Sequence, residues 1–133
     1  MDDSRDFKIH RRGRLGEGYV CDYLKAHGCK IAATNYHSRF GEIDIIAENE
    51  VRVIFVEVKT RTRNSLAGGF ESITPSKIKK ITKTAAQYML EHPCDKQIRI
   101  DCASVIVEPD TNKLVSISYI KNAVEQTGGY APF

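Results

Sequence analysis

The sequence predicts an α/β protein in which helices flank a mixed β-sheet of about five strands. Two observations carry this prediction. In two segments apolar residues recur every three or four positions, which is typical of helices that bury one face. Five other segments are short and rich in Val, Ile, Phe and Tyr, which is typical of strands. Their order along the chain is helix, three strands, helix, two strands, which fits a layered α/β sandwich.

A chain of 133 residues supports one domain with one hydrophobic core. We predict a flexible N-terminal tail over residues 1–10, the domain over 11–125 and a flexible C-terminal tail over 126–133. No segment approaches the roughly 18–20 apolar residues of a membrane span, and the N-terminus lacks the apolar core of a signal peptide. We therefore expect a cytoplasmic protein that does not bind membranes.

The four cysteines are expected to be reduced thiols, because their spacing fits no zinc site and cytosolic disulfides are rare. They are Cys21, Cys29, Cys94 and Cys102. The formal net charge of +3 permits a nucleic-acid partner, although the distribution of charge matters more than its sum.

The first helix is predicted over residues 11–27, and Gly28 favours the left-handed conformation at its end. Glu17 borders the apolar stripe of this helix, where a carboxylate needs a partner. Either Glu17 pairs with Arg14 or Lys25, or it belongs to a metal site.

Three strands follow. The first is weakly patterned over residues 29–36, and the next two are predicted over 42–47 and 51–59. Asn49 and Glu50 between them suit a two-residue hairpin turn. The hairpin is the segment around which we expect the rest of the chain to be arranged.

In the register that this turn sets, Asp44 faces Phe55, and Glu57 is its diagonal neighbour. Because side chains alternate along a strand, Asp44, Glu57 and Lys59 are predicted to emerge on one face. Two carboxylates at that separation can bind one Mg²⁺, which takes oxygen ligands and retains several waters.

The same three residues also fit an exposed polar strand face, on which ion pairs contribute only about 0–1 kcal/mol. Two observations favour the metal site. The strand is apolar at its other end, and the acidic pair repels itself without a cation or a shared proton.

Residues 64–72 are predicted to form a loop beside the site. The second helix is predicted from Pro75 to about Glu91, with Thr74 as its N-cap. Its lysines lie off the apolar stripe, which indicates either a solvated face or a track for phosphates.

The last two strands are predicted over residues 97–107 and 114–120, joined by a turn at Pro109-Asp110. Asp101 in the first of them either supports the metal site or pairs with an arginine.

Four short segments occur in a fixed order along most of residues 11–120. They are Gly16-Glu17, Gly41-Glu42-Ile43-Asp44, Val56-Glu57-Val58-Lys59-Thr60-Arg61 and Arg99-Ile100-Asp101. Together they resemble the PD-(D/E)XK nuclease superfamily and, within it, the YraN-like bacterial proteins near the archaeal Holliday-junction resolvases. Ile43 replaces the proline of the superfamily's name, which removes no ligand.

The resemblance implies a restriction-endonuclease-like fold and a Mg²⁺- or Mn²⁺-dependent endonuclease that hydrolyses phosphodiester bonds in DNA. Branched DNA in repair or recombination is the implied substrate, and a homodimer is implied as well. The alternative is a non-catalytic nucleic-acid-binding module that keeps the nuclease fold.

The expected site comprises three groups of residues. The expected catalytic residues are Glu17, Asp44, Glu57 and Lys59, and the expected metal ligands are Asp44, Glu57, the carbonyl of Val58 and Glu17. The expected nucleic-acid contacts are Arg14, Arg39, Arg61, Arg63, Lys77 and Lys80.

Overall fold

A mixed five-stranded sheet with the strand order β1-β2-β3-β4-β5 forms the centre of the protein. The strands are β1 (Lys30–Ser38), β2 (Gly41–Glu48), β3 (Arg52–Thr62), β4 (Gln97–Val107) and β5 (Leu114–Ile120), and the helices are α1 (Asp3–Ala26) and α2 (Pro75–Glu91). Only β3 and β4 are parallel, and α2 connects them. The structure, a computed structural model, describes residues 3–65 and 74–123. The predicted α/β architecture is confirmed.

Each face of the sheet carries one helix and one apolar cluster. The α1-side cluster includes Val20 and Leu24 from the helix. The α2-side cluster includes Ile78, Ile81 and Tyr88 from the other helix. The strand β3 contributes alternate residues to the two clusters, so it is buried on both faces over residues 53–56. The core therefore fixes which side chains of β3 point toward each helix.

Both helix ends that the sequence predicted are present. At the start of α2 the side chain of Thr74 accepts a hydrogen bond of 3.1 Å from the Lys77 amide, and Pro75 occupies the first turn. At the end of α1, Gly28 has φ +85°, and the Cys29 amide donates to the Leu24 carbonyl at 3.0 Å. This pair of features is a Schellman-type C-cap.

The helix α1 begins at Asp3, whereas the sequence predicted a start at Arg11. Residues 5–11 are exposed, so this part of the helix buries no face against the sheet. Hydrophobic periodicity detects only helices that bury an apolar face, which is why the pattern missed the first two turns. The residues predicted as a flexible tail are therefore helical from Asp3 onward, and residues 5–11 of that helix are exposed.

The hairpin of β2 and β3 has a register two residues away from the predicted one. The structure pairs Ile46 with Phe55 and Glu48 with Val53. The turn tip is Glu50-Val51, because the Asn49 carboxamide accepts hydrogen bonds from the Val51 and Arg52 amides at 2.9 and 2.8 Å. A shift of two residues preserves the face of every side chain.

Asp101 belongs to a structural network and does not serve the candidate site. It is fully buried, and Arg99 donates two hydrogen bonds of 2.9 Å to its carboxylate. The Tyr119 hydroxyl at 2.6 Å and the Asn122 amide at 3.0 Å complete its shell. Of the two readings left open by the sequence, the arginine partner is confirmed.

The structure also bears on several smaller predictions. The four cysteines are free thiols, as expected. No helix within the described ranges is long and apolar enough to span a bilayer. Most of the predicted loop over residues 64–72 and the whole predicted tail over residues 126–133 lie outside the described residues.

The contact between α1 and β3 depends on Gly16. A Cβ atom at this position would lie 1.9 Å from Oγ1 and 2.9 Å from Cβ of Thr60. No side chain larger than hydrogen fits there without a shift of the helix. The close approach places Glu17, the next residue of α1, beside the sheet.

We predict that Gly16→Ala lowers the free energy of unfolding by roughly 1–3 kcal/mol, because the added methyl group forces α1 away from Thr60. Gly18→Ala is the matched control, since no atom outside its own helical turn lies within 4 Å of the added carbon. Alanine there is expected to be neutral or to stabilise by up to about 1 kcal/mol. Urea denaturation measures both, and an equal effect of the two variants would contradict the packing role of Gly16.

Candidate active site

Asp44 is fixed at the point where the described ladder between β2 and β3 ends. The last pair of that ladder is Ile45 with Val56. One residue further on, the Val58 amide donates a hydrogen bond of 2.8 Å to the Asp44 carboxylate. The side chain thus accepts a bond that a backbone carbonyl accepts elsewhere in the sheet. Continuing the observed register places Asp44 opposite Glu57, which is closer than the predicted diagonal arrangement.

Glu57 lies on the α2 side of β3, two residues after Phe55. Its side chain is only 11% exposed and forms an ion pair with Lys77 in the first turn of α2. The N-capped start of α2 therefore brings one cation directly onto a predicted metal ligand. Sequence analysis expected Lys77 to contact nucleic acid, and in the structure its described partner is Glu57.

Glu17 reaches the same region from α1 through Asn35. The Asn35 amide nitrogen donates to Glu17 at 3.2 Å and to Glu42 at 3.1 Å. Neither Arg14 nor Lys25 forms an ion pair with Glu17 in the described part of the chain. The sequence had considered both as partners, but the observed partner is Asn35.

The position of Asn35 explains how it reaches two carboxylates. Asn35 has φ +50°, a left-handed conformation that asparagine tolerates better than most residues. The neighbouring β1 residues Ala33 and Tyr36 both pack on the α2 side although they are three positions apart. The same break occurs opposite in β2, where Ile43 and Ile46 both pack on the α2 side, and Asn35 lies within it with its carboxamide bonded to the two acids.

The electrostatics of the site centre on Asp44. Burial raises the pKa of its carboxyl to about 7, and repulsion by Glu57 adds to this effect. Glu17 and Glu42 raise the same pKa further, whereas the hydrogen bond from Val58 opposes the rise. Burial also raises the pKa of Glu17, and the bond from Asn35 counteracts it. Excess negative charge is therefore concentrated around Asp44.

Lys59 and Val58 occupy the positions that the motif gave them. Val58 packs against the α1-side cluster. Lys59 is two residues beyond Glu57 on β3 and is half-buried. It forms no hydrogen bond or ion pair with any other described residue. Its ammonium is thus available near the two strand acids.

The carboxylates of the candidate site do not converge on one point in the structure. Across residues 3–65 and 74–123 there is no group of three or more His, Cys, Asp and Glu side chains arranged to hold a metal ion. Instead, Lys77 neutralises Glu57, and the Asn35 amide joins Glu17 to Glu42. A two-carboxylate Mg²⁺ site completed by water and a phosphate needs fewer protein ligands. Asp44 and Glu57 on adjacent strands fit that kind of site.

The remaining predicted phosphate contacts lie on α1, α2 and β3 and in two connecting segments. Arg14 and Lys80 are exposed on α1 and α2, and Arg61 is half-buried on β3. Arg63 forms a 3.1 Å ion pair with Glu108. Arg39, in the turn between β1 and β2, lies 4.9 Å from the centre of the Phe40 ring. These cations surround the acidic residues without forming one continuous patch.

Sequence analysis missed Asn35 and Glu42 as members of the site. Glu42 lies in the motif Gly41-Glu42-Ile43-Asp44, from which the predicted site included only Asp44. Asn35 gave a weaker signal, an asparagine inside a strand whose apolar alternation is irregular. A left-handed residue in a strand is not visible in composition, so only the structure locates it.

Comparison with known proteins identifies the family of the chain. The model of the "Uncharacterised protein family UPF0102" matches residues 16–105, which is most of the chain. The chain belongs to the UPF0102 family. This is the YraN-like group that the ordered motifs indicated. The matched range contains all four residues predicted to be catalytic.

Individual UPF0102 proteins match over nearly their whole lengths. One from Dichelobacter nodosus is 37% identical over 92% of this chain and 95% of its own length. One from Syntrophomonas wolfei is 37% identical over 84% of this chain and 95% of its own length. A Sulfurihydrogenibium relative is 42% identical over 71% of this chain and 84% of its own length. The fold described above is therefore that of a UPF0102 domain.

The raised pKa of Asp44 predicts how pH affects stability in the metal-free protein. An unperturbed aspartate has a pKa near 3.9, so the folded protein keeps a proton that the unfolded chain releases as pH rises. The free energy of unfolding should fall between about pH 4 and pH 7 by roughly 2–4 kcal/mol, because one pKa unit corresponds to about 1.4 kcal/mol.

Asp44→Asn retains an acceptor for the Val58 amide and removes the titration, so its stability should fall less across this range. Asp22→Asn is the control, since this exposed acid forms no hydrogen bond or ion pair with a described residue. Urea denaturation in EDTA at a series of pH values measures all three proteins. Parallel pH profiles for wild type and Asp44→Asn would show that Asp44 is not the titrating group.

Proposed function

We propose that the protein is a Mg²⁺-dependent endodeoxyribonuclease that hydrolyses phosphodiester bonds in DNA. The observation that carries the proposal is the placement of a half-buried aspartate beside a nearly buried glutamate where the described ladder of β2 and β3 ends. Asp44 is fixed there by the Val58 amide, and Glu57 is its principal electrostatic neighbour. Structural acids are normally paired with cations, whereas Asp44 has no cation partner among the described residues and its principal charged neighbour is another acid.

When bound, Mg²⁺ supplies charge neutralisation and an activated water for hydrolysis. Asp44 and Glu57 are the direct ligands in this proposal, and the Val58 carbonyl is a further oxygen donor. Glu17 contributes through water from α1, where Asn35 holds its carboxylate. Because Lys77 neutralises Glu57 in the metal-free arrangement, Lys77 must leave that carboxylate before Glu57 can bind the ion.

Lys59 acts on the reacting phosphate in this proposal. Its ammonium is a compact charge on the same strand as Glu57, so it can orient the attacking water or offset charge on the phosphorane. Arg61, two residues further along β3, is the proposed phosphate contact. The guanidinium fork suits a phosphate, with which it forms paired charge-assisted hydrogen bonds.

DNA with a branch point is the proposed substrate, and Mn²⁺ is a proposed substitute for Mg²⁺. This choice of substrate rests on the likeness of the motifs to the Holliday-junction resolvases. The expectation of a homodimer rests on the same likeness and stays a prediction.

A second candidate is a nucleic-acid-binding module without catalysis. The ion pair between Lys77 and Glu57 favours it, because a lysine satisfies the carboxylate that the metal would need. Cleavage that depends on a divalent ion separates the two candidates. DNA binding that is unchanged by EDTA, with no cleavage of any branched or linear DNA, would favour the binding module.

Asp44→Ala and Glu57→Ala are each expected to reduce Mg²⁺-dependent cleavage of a branched DNA at least about 100-fold, as removal of a transition-state contact does. Lys59→Ala should lower kcat more than it weakens DNA binding. Gel-based cleavage assays with Mg²⁺, Mn²⁺ or EDTA measure the rates, and anisotropy measures binding.

Glu48→Gln on β2 is the matched control, because this acid pairs with Lys96 at the far end of the strand. It should cleave like wild type. Cleavage by Asp44→Ala at the wild-type rate would rule out the proposed mechanism.

A further inference from the structure

The first three and a half turns of α1 account for the entire net charge of the protein. Residues 3–14 contain five arginine or lysine residues against two aspartates. Their formal sum is +3, which equals the formal net charge of the whole chain. The other residues are therefore neutral in sum, with 15 basic and 15 acidic side chains. The mildly basic composition of the whole chain therefore comes from one strongly basic segment, residues 3–14.

This element projects from the end of the sheet that carries the candidate site. Gly16 contacts Thr60 near the end of β3. Arg12 donates hydrogen bonds to Asn112 and Pro109 in the turn between β4 and β5. From Arg12 to the start of the helix the chain rises by about 13 Å at 1.5 Å per residue. We call this projecting segment, residues 3–11, the α1 arm.

The cations of the arm are free to contact a ligand. Arg5, Lys8 and Arg11 are exposed, and none forms an ion pair with another described residue. They are spaced three residues apart, so like charges are helical neighbours and repel each other by a few tenths of a kcal/mol per pair. A polyanion would relieve this repulsion.

The geometry points to the phosphate backbone of a nucleic acid as the partner. Successive steps of three residues rotate by about 300°, which equals −60°, so the three cations lie within an arc of about 120° in a row that spirals slowly along the helix. Two of them, Lys8 and Arg11, border with Arg12 a cleft between the arm and the turn that joins β4 to β5. A winding row of cations beside a cleft suits a curved, regularly charged strand.

A lipid surface fits the arm less well. Phe7 and Ile9 are 67% and 52% exposed, but two residues of a helix are about 200° apart, so these side chains lie on opposite sides. An interfacial membrane helix needs its apolar residues together on one face. The arm lacks that segregation among its described residues.

We propose that the α1 arm binds the DNA backbone outside the reaction site and holds the flanking duplex. The choice of DNA as the nucleic acid rests on the function proposed above. By helical rise, Arg11 and Arg5 are about 9 and 18 Å from Glu17. At about 3.4 Å per nucleotide, these distances correspond to phosphates roughly three to five nucleotides from the one that reacts.

The test is the salt dependence of DNA binding, measured by fluorescence anisotropy with a labelled duplex and a labelled four-way junction in EDTA. The variant Arg5→Gln/Lys8→Gln/Arg11→Gln removes three charges. Each lost phosphate contact lowers the slope of log K against log salt by about 0.9, so we expect a decrease of roughly two to three. Affinity near physiological salt should fall about tenfold or more.

Lys25→Gln/Lys30→Gln/Lys121→Gln is the control, because these exposed lysines lie near the C-terminal end of α1, away from the arm, and the change in net charge is identical. It should leave the slope within experimental error. Arg5→Lys/Arg11→Lys keeps the charges and should bind like wild type. Thermal unfolding checks that the arm variant remains folded, which its lack of packing contacts predicts.

Two results would overturn the proposal. In one, the arm and control variants weaken DNA binding equally, which indicates a general charge effect. In the other, the arm variant binds DNA normally but no longer binds phosphatidylserine vesicles, which indicates a lipid partner. Absence of Mg²⁺-dependent cleavage in wild type would refute the nuclease proposal and leave an arm-dependent salt slope intact, so the two failures are distinguishable.

Discussion

The hydrogen bond from the Val58 amide to the Asp44 carboxylate is the contact on which the candidate site depends. It lies where the described ladder of β2 and β3 ends, and it ties the acid to the backbone of the central strand. This hydrogen bond favours the orientation in which the carboxylate lies beside its acidic neighbours. The pKa of the Asp44 carboxyl is raised to about 7, first by burial and then by repulsion from Glu57. In the proposed function, a divalent ion would replace the proton of this carboxyl.

Side chains from α1, α2 and β1 also contribute to the site around Asp44. Gly16 allows α1 to approach β3 closely enough to bring Glu17 beside the sheet. The capped start of α2 brings Lys77 onto Glu57, and the left-handed Asn35 ties Glu17 to Glu42. Side-chain nitrogen atoms therefore pair with three of the four acids, whereas Asp44 accepts only a backbone hydrogen bond from the described residues. A divalent ion would compete with these donors for the carboxylates.

Strong periodicity and turn chemistry made much of the fold predictable. The bounds of α2, β4 and β5 match the prediction, because a Thr-Pro cap and alternating β-branched residues leave little ambiguity. The hairpin register was wrong by two residues, since the Asn49 side chain closes a turn at Glu50-Val51 that composition does not distinguish from one at Asn49-Glu50. The faces were still correct, because pleating repeats every two residues. Asn35 and the exposed start of α1 were missed because neither leaves an apolar pattern.

A single crystal can test the central proposal, that Asp44 and Glu57 share a divalent ion. Crystals soaked in Mn²⁺ and measured at the manganese absorption edge would locate the ion by its anomalous signal. The predicted result is one peak about 2 Å from oxygens of both carboxylates, with the Lys77 ammonium displaced from Glu57. A map with no anomalous peak between these two side chains, and with Lys77 still bound to Glu57, would contradict the claim.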